Sequence, residues 1–261
     1  KVRARGADTS THRLLSHLWT GSFGPDADDG ITVPEPVGVL ADLQMVVQRR
    51  VPGEALTCLL EGSRGYPLAR RAAEAIAKLH RQAVPAHRQH SVDDEIRILR
   101  ERLVMVADSL PHWQTRITAL LDGCERIAAS LHDAPSSGIH RDFYPDQILV
   151  DGDRLYLLDL DLYSNGDPAL DVGNFMAHLD EYSLRRFADT ERLADRKSAF
   201  VERYLELSTR TTRGAIDAYA ALSLARHIAI SQQFSERRPL TGALLDLCEE
   251  RVLRLLCVGR H

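Results

Sequence analysis

The sequence carries no surplus of positive charge. Lysine and arginine total 33 against 37 acidic residues, giving a formal net charge of −4. Without a basic excess to neutralise phosphates, nucleic acid is not expected as a main partner. Its arginines are scattered among acids, as in "DDEIRILRERL", which is the pattern of a solvated helix face. Cysteine is scarce. Cys58, Cys124, Cys248 and Cys257 show no metal-ligand spacing, and their apolar contexts read as reduced core positions of a cytoplasmic protein. No apolar run approaches the roughly 18 residues of a membrane-crossing helix, so no membrane partner is expected. "KVRARGADTS" has no apolar stretch of the kind a secretory signal needs. The absence of a G-x-S-x-G elbow removes the serine hydrolases. His80, His87 and His90 straddle Pro85 and read as solvated loop residues, not as metal ligands. The oligomeric state is not legible.

What is present suffices for a folded core. The 261 residues are 44% hydrophobic and 27% charged, ordinary values for one large domain or two modest ones. Residues 1–51 read as a mixed part: "DTSTHRLLSHLW" as a capped helix, "GSFG" as a plain loop, and "VGVLADLQMVVQRRV" as two short strands around a turn near Ala41 and Asp42. From 52 to 261, after a hinge at "PGEAL", helices dominate. Leu68, Ala72, Ile76 and Leu79 share one helical face. Ser91 and Asp94 form a capping box before a periodic run to Leu110, and a further helix covers 112–131. Four or five more helices follow residue 168.

One β island interrupts the helices. In "GIHRDFYPDQILVDGDRLYLLDLDLYSNGDPALDVGNF", residues 138–175, "QILV" and "RLYLLDL" flank Asp151-Gly152, a dipeptide suited to a two-residue hairpin turn. The hairpin should bring Asp142, just before it, towards Asp159 and Asp161 at its exit. Carboxylates next to apolar runs need a compensating charge or a proton-transfer task. His140-x-Asp142, a carboxamide at Gln147, a hairpin and then Asp159 is the layout that phosphoryl transfer requires, because such catalysis is mostly positioning and charge neutralisation. Asp142 is the expected base and Asp159 the principal Mg²⁺ ligand. Gln147 would be an auxiliary ligand, and Asp161, read on the same strand face as Asp159, would serve a second ion or its water shell. His140 reads as a structural histidine and Asp167, before Pro168, as a helix cap.

"HRDFYPDQ" resembles the H-R-D-x-x-x-x-N loop of protein-kinase-like folds, with Gln147 in place of Asn. "LLDLDLYSNGDPALDVGNF" looks like the metal-binding segment of aminoglycoside phosphotransferases and choline-kinase-like enzymes. The resemblance spans nearly the whole chain. It implies an α+β, two-lobe protein-kinase-like fold with a truncated N-terminal β lobe and a mostly helical C-terminal lobe. It also implies ATP (or GTP) and Mg²⁺ as cofactors, and a hydroxyl of a small polar molecule (amino sugar, amino alcohol or sugar) as acceptor. By the same resemblance Asp171 braces the catalytic loop from a helix start, and main-chain groups at Gln48, Arg49, Arg50 and Val51 meet adenine. Lys1 resembles the strand lysine that contacts phosphates, which places a glycine-rich loop, absent from this sequence, upstream of it. The helix over 9–19 holds no glutamate to pair with that lysine. Eleven residues between Asp159 and Asp171 leave no room for a peptide-docking activation segment, and no A-P-E motif occurs. A small-molecule kinase therefore fits better than a protein kinase, with a catalytically degenerate nucleotide- or partner-binding module as the alternative.

Overall fold

A computed structural model describes residues 9–82, 84–131 and 135–258, so Lys1 lies outside the described residues. Helix α1 (Thr9–Thr20) buries Leu14, Leu15 and Leu18, and "GSFG" follows it as turns. After β1 (Ile31–Thr32), strands β2 (Pro36–Leu40) and β3 (Met45–Gln48) pair antiparallel around a short turn of helix at Ala41–Leu43. Then come β4 (Glu54–Ala55), the single turn α2 (Leu56–Leu59) and α3 (Gly65–His80), followed by β5 (Gln89–His90), α4 (Val92–Ser109) and α5 (Gln114–Ala128). The expected inward face of α3 is buried at Leu68, Ala72, Ile76 and Leu79. At the start of α4, Ser91 Oγ accepts the Asp94 N–H at 3.2 Å and the Asp94 carboxylate accepts the Ser91 N–H at 3.1 Å. That reciprocal cap satisfies two donors that a helix start leaves orphaned.

The chain continues with β6 (Ser137–Ile139), β7 (Ile148–Asp151), β8 (Arg154–Leu157) and β9 (Ser164–Gly166), and ends in α6 (Ala169–Phe187), α7 (Ala194–Leu207), α8 (Arg213–Gln233) and α9 (Thr241–Val258). β7 and β8 make the expected hairpin, shifted by one residue at its tip. Asp151 pairs with Arg154, so the turn is Gly152-Asp153, with Gly152 at φ 60° in the first central position. Glycine reaches that left-handed backbone without steric cost.

Strands and helices are segregated into small sheets and a helical C-terminal part, as in an α+β chain. The four-stranded sheet runs β1-β8-β7-β4, so Ile31–Thr32 and Glu54–Ala55 flank the hairpin on its two sides. One hydrophobic core runs through the described chain, from Leu14 and Phe23 to Leu245 and Val252. Gly53, at φ 111°, lets the linker lie on β7: a Cβ there would meet the Val150 carbonyl oxygen at 2.7 Å. Gly173 does the same where α6 crosses α8, since a Cβ would sit 2.6 Å from the Ala220 nitrogen. Cys124 and Cys248 are buried, and burial raises both thiols, Cys124 to about 12. Cys58 and Cys257 are exposed, which corrects their reading as core.

Candidate active site

The loop between β6 and β7 is pinned from beneath by Asp171, in the first turn of α6. Its Oδ2 accepts the His140 N–H at 2.7 Å and faces His80 Nε2 at 2.8 Å, while Oδ1 accepts the Arg141 N–H at 2.6 Å. Charge-assisted bonds of this kind are about twice as strong as neutral ones. They hold Arg141 at φ 74°, a left-handed conformation that costs a non-glycine residue about 1–3 kcal/mol. The buried His140 ring spans the loop and the hairpin exit. Its Nε2 donates to the Leu158 carbonyl at 2.7 Å, and Nδ1 accepts the Asp142 N–H at 3.4 Å. Both ring nitrogens are thus committed to backbone.

Phe143 anchors the loop from the other side. Its ring packs on Phe175 of α6 with centroids 5.4 Å apart, and Phe175 stacks on Phe200 of α7 at 4.0 Å. The Phe143 carbonyl accepts from Asn174 Nδ2 at 3.0 Å, and Asn174 Oδ1 accepts from Arg226 of α8 at 2.6 Å. Arg226 also reaches Glu95 of α4 at 3.4 Å, and Glu95 bonds His90 at 2.5 Å. Burial would raise Glu95, but the His90 bond and the charge of Arg226 hold it below its ordinary value.

Asp142 lies between these supports and lines a cavity of about 340 Å³ with Tyr144, His178, Glu181, Arg226 and Arg237. Burial raises its pKa. The charge of Arg226 acts against that shift, and those of Asp159 and Asp171 add to it. Asp142 and Asp159 therefore feel each other across the hairpin base. Asp159 is half-buried and left-handed at φ 55°, which ends the strand and turns the chain into a short helical turn at Leu160–Leu162. Asp161 sits in that turn, so its placement on a strand face with Asp159 is corrected. It lines a different cavity, of about 290 Å³, between α1 and residues 84–88. Gln147 is buried, with its side chain against the Tyr144 hydroxyl. Among the described residues no three His, Cys, Asp or Glu side chains gather as a metal cluster. Mg²⁺ bound largely through a nucleotide's phosphates needs only one or two carboxylates. The hard oxygens of Asp159 and Gln147 are chemically suited to that.

Gln48 ends β3, and Arg49, Arg50 and Val51 begin its link to β4. The Arg49 N–H is already given to the Glu35 carbonyl at 2.8 Å, and none of the four residues lines the Asp142 cavity. Two histidines correct their reading as solvated. His80 is held between Asp171 and the Tyr204 hydroxyl, the latter at 2.8 Å, and His90 is buried on Glu95. His80 continues the inward spacing of Ala72 and Ile76, a signal that the nearby proline obscured. Asp167 accepts the Ala169 N–H at 2.9 Å, the capping role read from Asp-Pro.

The profile of the phosphotransferase enzyme family, APH, matches residues 11–207. The chain belongs to this family. No curated protein matches it in sequence. Solved structures resemble it in fold throughout this phosphotransferase. A choline/ethanolamine kinase family protein from Mesorhizobium loti is 16% identical with a TM-score of 0.68, over 98% of this chain and 85% of that one. A choline kinase from Cryptosporidium parvum Iowa II is 13% identical with a TM-score of 0.65, over 98% of this chain and 81% of that one. A glucosamine kinase is 18% identical with a TM-score of 0.61, over 97% of this chain and 73% of that one, and was captured with glucosamine, ADP and inorganic phosphate. The fold of the phosphotransferase is thus the expected α+β, protein-kinase-like one, with small N-terminal sheets and a helical C-terminal part. No helix among its described residues is long and apolar enough to cross a membrane.

Proposed function

We propose that the protein moves the γ-phosphoryl group of ATP (or GTP) to a hydroxyl of a small polar molecule. The observation that carries this reading is Asp142 at the wall of the 340 Å³ cavity, electrostatically joined to Asp159 at the hairpin exit. Asp142 takes the proton of the acceptor hydroxyl as its oxygen bonds to the γ-phosphorus. The bond from that phosphorus to the bridging oxygen breaks, and the nucleoside diphosphate leaves. Mg²⁺, when bound, would neutralise phosphate charge, and Asp159 with Gln147 would hold it. Asp171, His140 and Phe143 keep the loop in place and exchange no proton. Lys1 and Gln48 to Val51 keep the roles that the family resemblance suggests for them as proposals, and a second-ion role for Asp161 stays a proposal without the shared strand face.

The test is a screen of hydroxyl compounds with the full-length protein, ATP and Mg²⁺, reading ADP release. In Asp142→Asn, turnover should fall about 10²–10⁴-fold while nucleotide-dependent thermal stabilisation persists. Unchanged turnover in that variant would refute the assignment. Gln147 in the place where the resembled loop has Asn favours a second reading, a catalytically degenerate nucleotide- or partner-binding module. That reading gains if nucleotide raises the melting temperature and no acceptor releases ADP. It loses if Gln147→Asn retains transfer.

A further inference from the structure

Resting on that reading and narrowing it, we propose that the acceptor carries an oxyanion, a carboxylate or a phosphate, bound by Arg185 and Arg237 while its hydroxyl lies at Asp142. Three guanidinium groups converge on the cavity beside Asp142: Arg185 from α6, Arg226 from α8 and Arg237 from the turn after α8. A cationic acceptor would need a free carboxylate or a bare aromatic face. Both are already taken. Glu181 accepts from Arg185 Nε at 2.9 Å and has Arg237 at 4.0 Å. Arg185 lies over the Tyr182 ring at 5.4 Å, Arg237 lies over Phe234 at 4.9 Å, and the Tyr144 ring stacks on His178 at 4.2 Å. Asp146 accepts from Thr57, and Asp142 has Arg226 nearby.

Hydrogen-bond donors, in contrast, are in surplus. A guanidinium offers five N–H groups in a planar fork suited to carboxylate or phosphate. The Arg237 contact with Glu181 is beyond hydrogen-bond reach, and Arg185 bonds Glu181 through its Nε. The field on the cavity floor has the same sign. His178 and His227 pack edge to face at 4.5 Å. Burial lowers both, and the charges of Arg226 and Arg237 push them further down, joined at His227 by Arg185, which leaves His227 at about 3. Among the described residues both His227 ring nitrogens are buried without a partner. The two imidazoles are therefore neutral, and the cations at the wall are the guanidinium groups of Arg185, Arg226 and Arg237.

The experiment is calorimetric titration of the nucleotide-free full-length protein with four sugars that differ in one group: glucuronate, glucose 6-phosphate, glucose and glucosamine. At least one of the two anionic sugars should bind ten-fold or more tighter than glucose, and glucosamine should bind weakest. Which anion binds better distinguishes carboxylate from phosphate. Arg237→Gln and Arg185→Gln should each cut the anionic advantage about ten-fold, and Arg237→Lys should restore part of it. Arg237 is partly exposed and its side chain caps no helix, so its variants keep the test open if Arg185→Gln fails to fold. Equal binding of all four, silence from all four, or preference for glucosamine overturns the proposal. Because no nucleotide is present, such a failure leaves phosphoryl transfer standing. A clear anionic preference with no ADP release from any acceptor would instead sink the transfer reading.

Discussion

The two sides of the loop after β6 treat their aspartates in opposite ways. Below it, Asp171 is fully buried and both oxygens are hydrogen-bonded, by the N–H groups of His140 and Arg141 and by His80. Above it, Asp142 faces a cavity and is raised by burial, and no donor among the described residues bonds its carboxylate. One residue type thus serves as a fastener on one side and as a reactive group on the other. The difference comes from how many hydrogen bonds reach each carboxylate. An acid bonded at both oxygens can only hold, and an unbonded one can take a proton.

The contrast is broken most forcefully at the fastener. Asp171→Ala should strand His80 and two backbone donors in the core and cost about 3–5 kcal/mol of unfolding free energy, read by urea denaturation. A variant as stable as the parent would mean that the loop is held elsewhere. Arg226→Gln tests the reactive side. It removes the leading charge that opposes the upward shift of Asp142, while His140, Asp159 and Asp171 still surround that carboxylate. An acid whose pKa rises is protonated at higher pH, so the acid limb of the turnover profile should move upward. Turnover at mildly acidic pH should drop on the order of ten-fold, in keeping with the loss of a charged hydrogen bond to Asn174. An unmoved limb would detach Arg226 from the base. The smallest effect belongs to neither side. Ser91→Ala should cost about 1 kcal/mol through the α4 cap, lowering the melting temperature without changing turnover per folded molecule.

Much of this contrast was legible in the sequence because its signals are local. The hairpin, the α4 cap and the face of α3 follow from spacing over a few residues. Long-range partners were not legible. His80 finds Asp171 ninety-one positions away, and Arg226 finds Glu95 across 131. In "SLARHIAI" nothing local sets that arginine apart, since α8 is buried nearly all round and shows no polar stripe. The alternation of "LYLLDLDL" suggested a strand through Asp161, but the left-handed turn at Asp159 ends that strand early. At the hairpin tip both Asp-Gly and Gly-Asp suit a two-residue turn, and cross-strand pairing decided between them.

The parallel seam between Ile31–Thr32 and β8 has a practical consequence. A fragment beginning at residue 52 would keep the hairpin yet strip away its outer neighbour, leaving a row of unsatisfied main-chain groups on an apolar ribbon. Bare edges of that sort recruit strands from other molecules. Expressing the helical half alone should therefore give clumped material, and any shortened version meant for crystallisation should retain that two-residue strip.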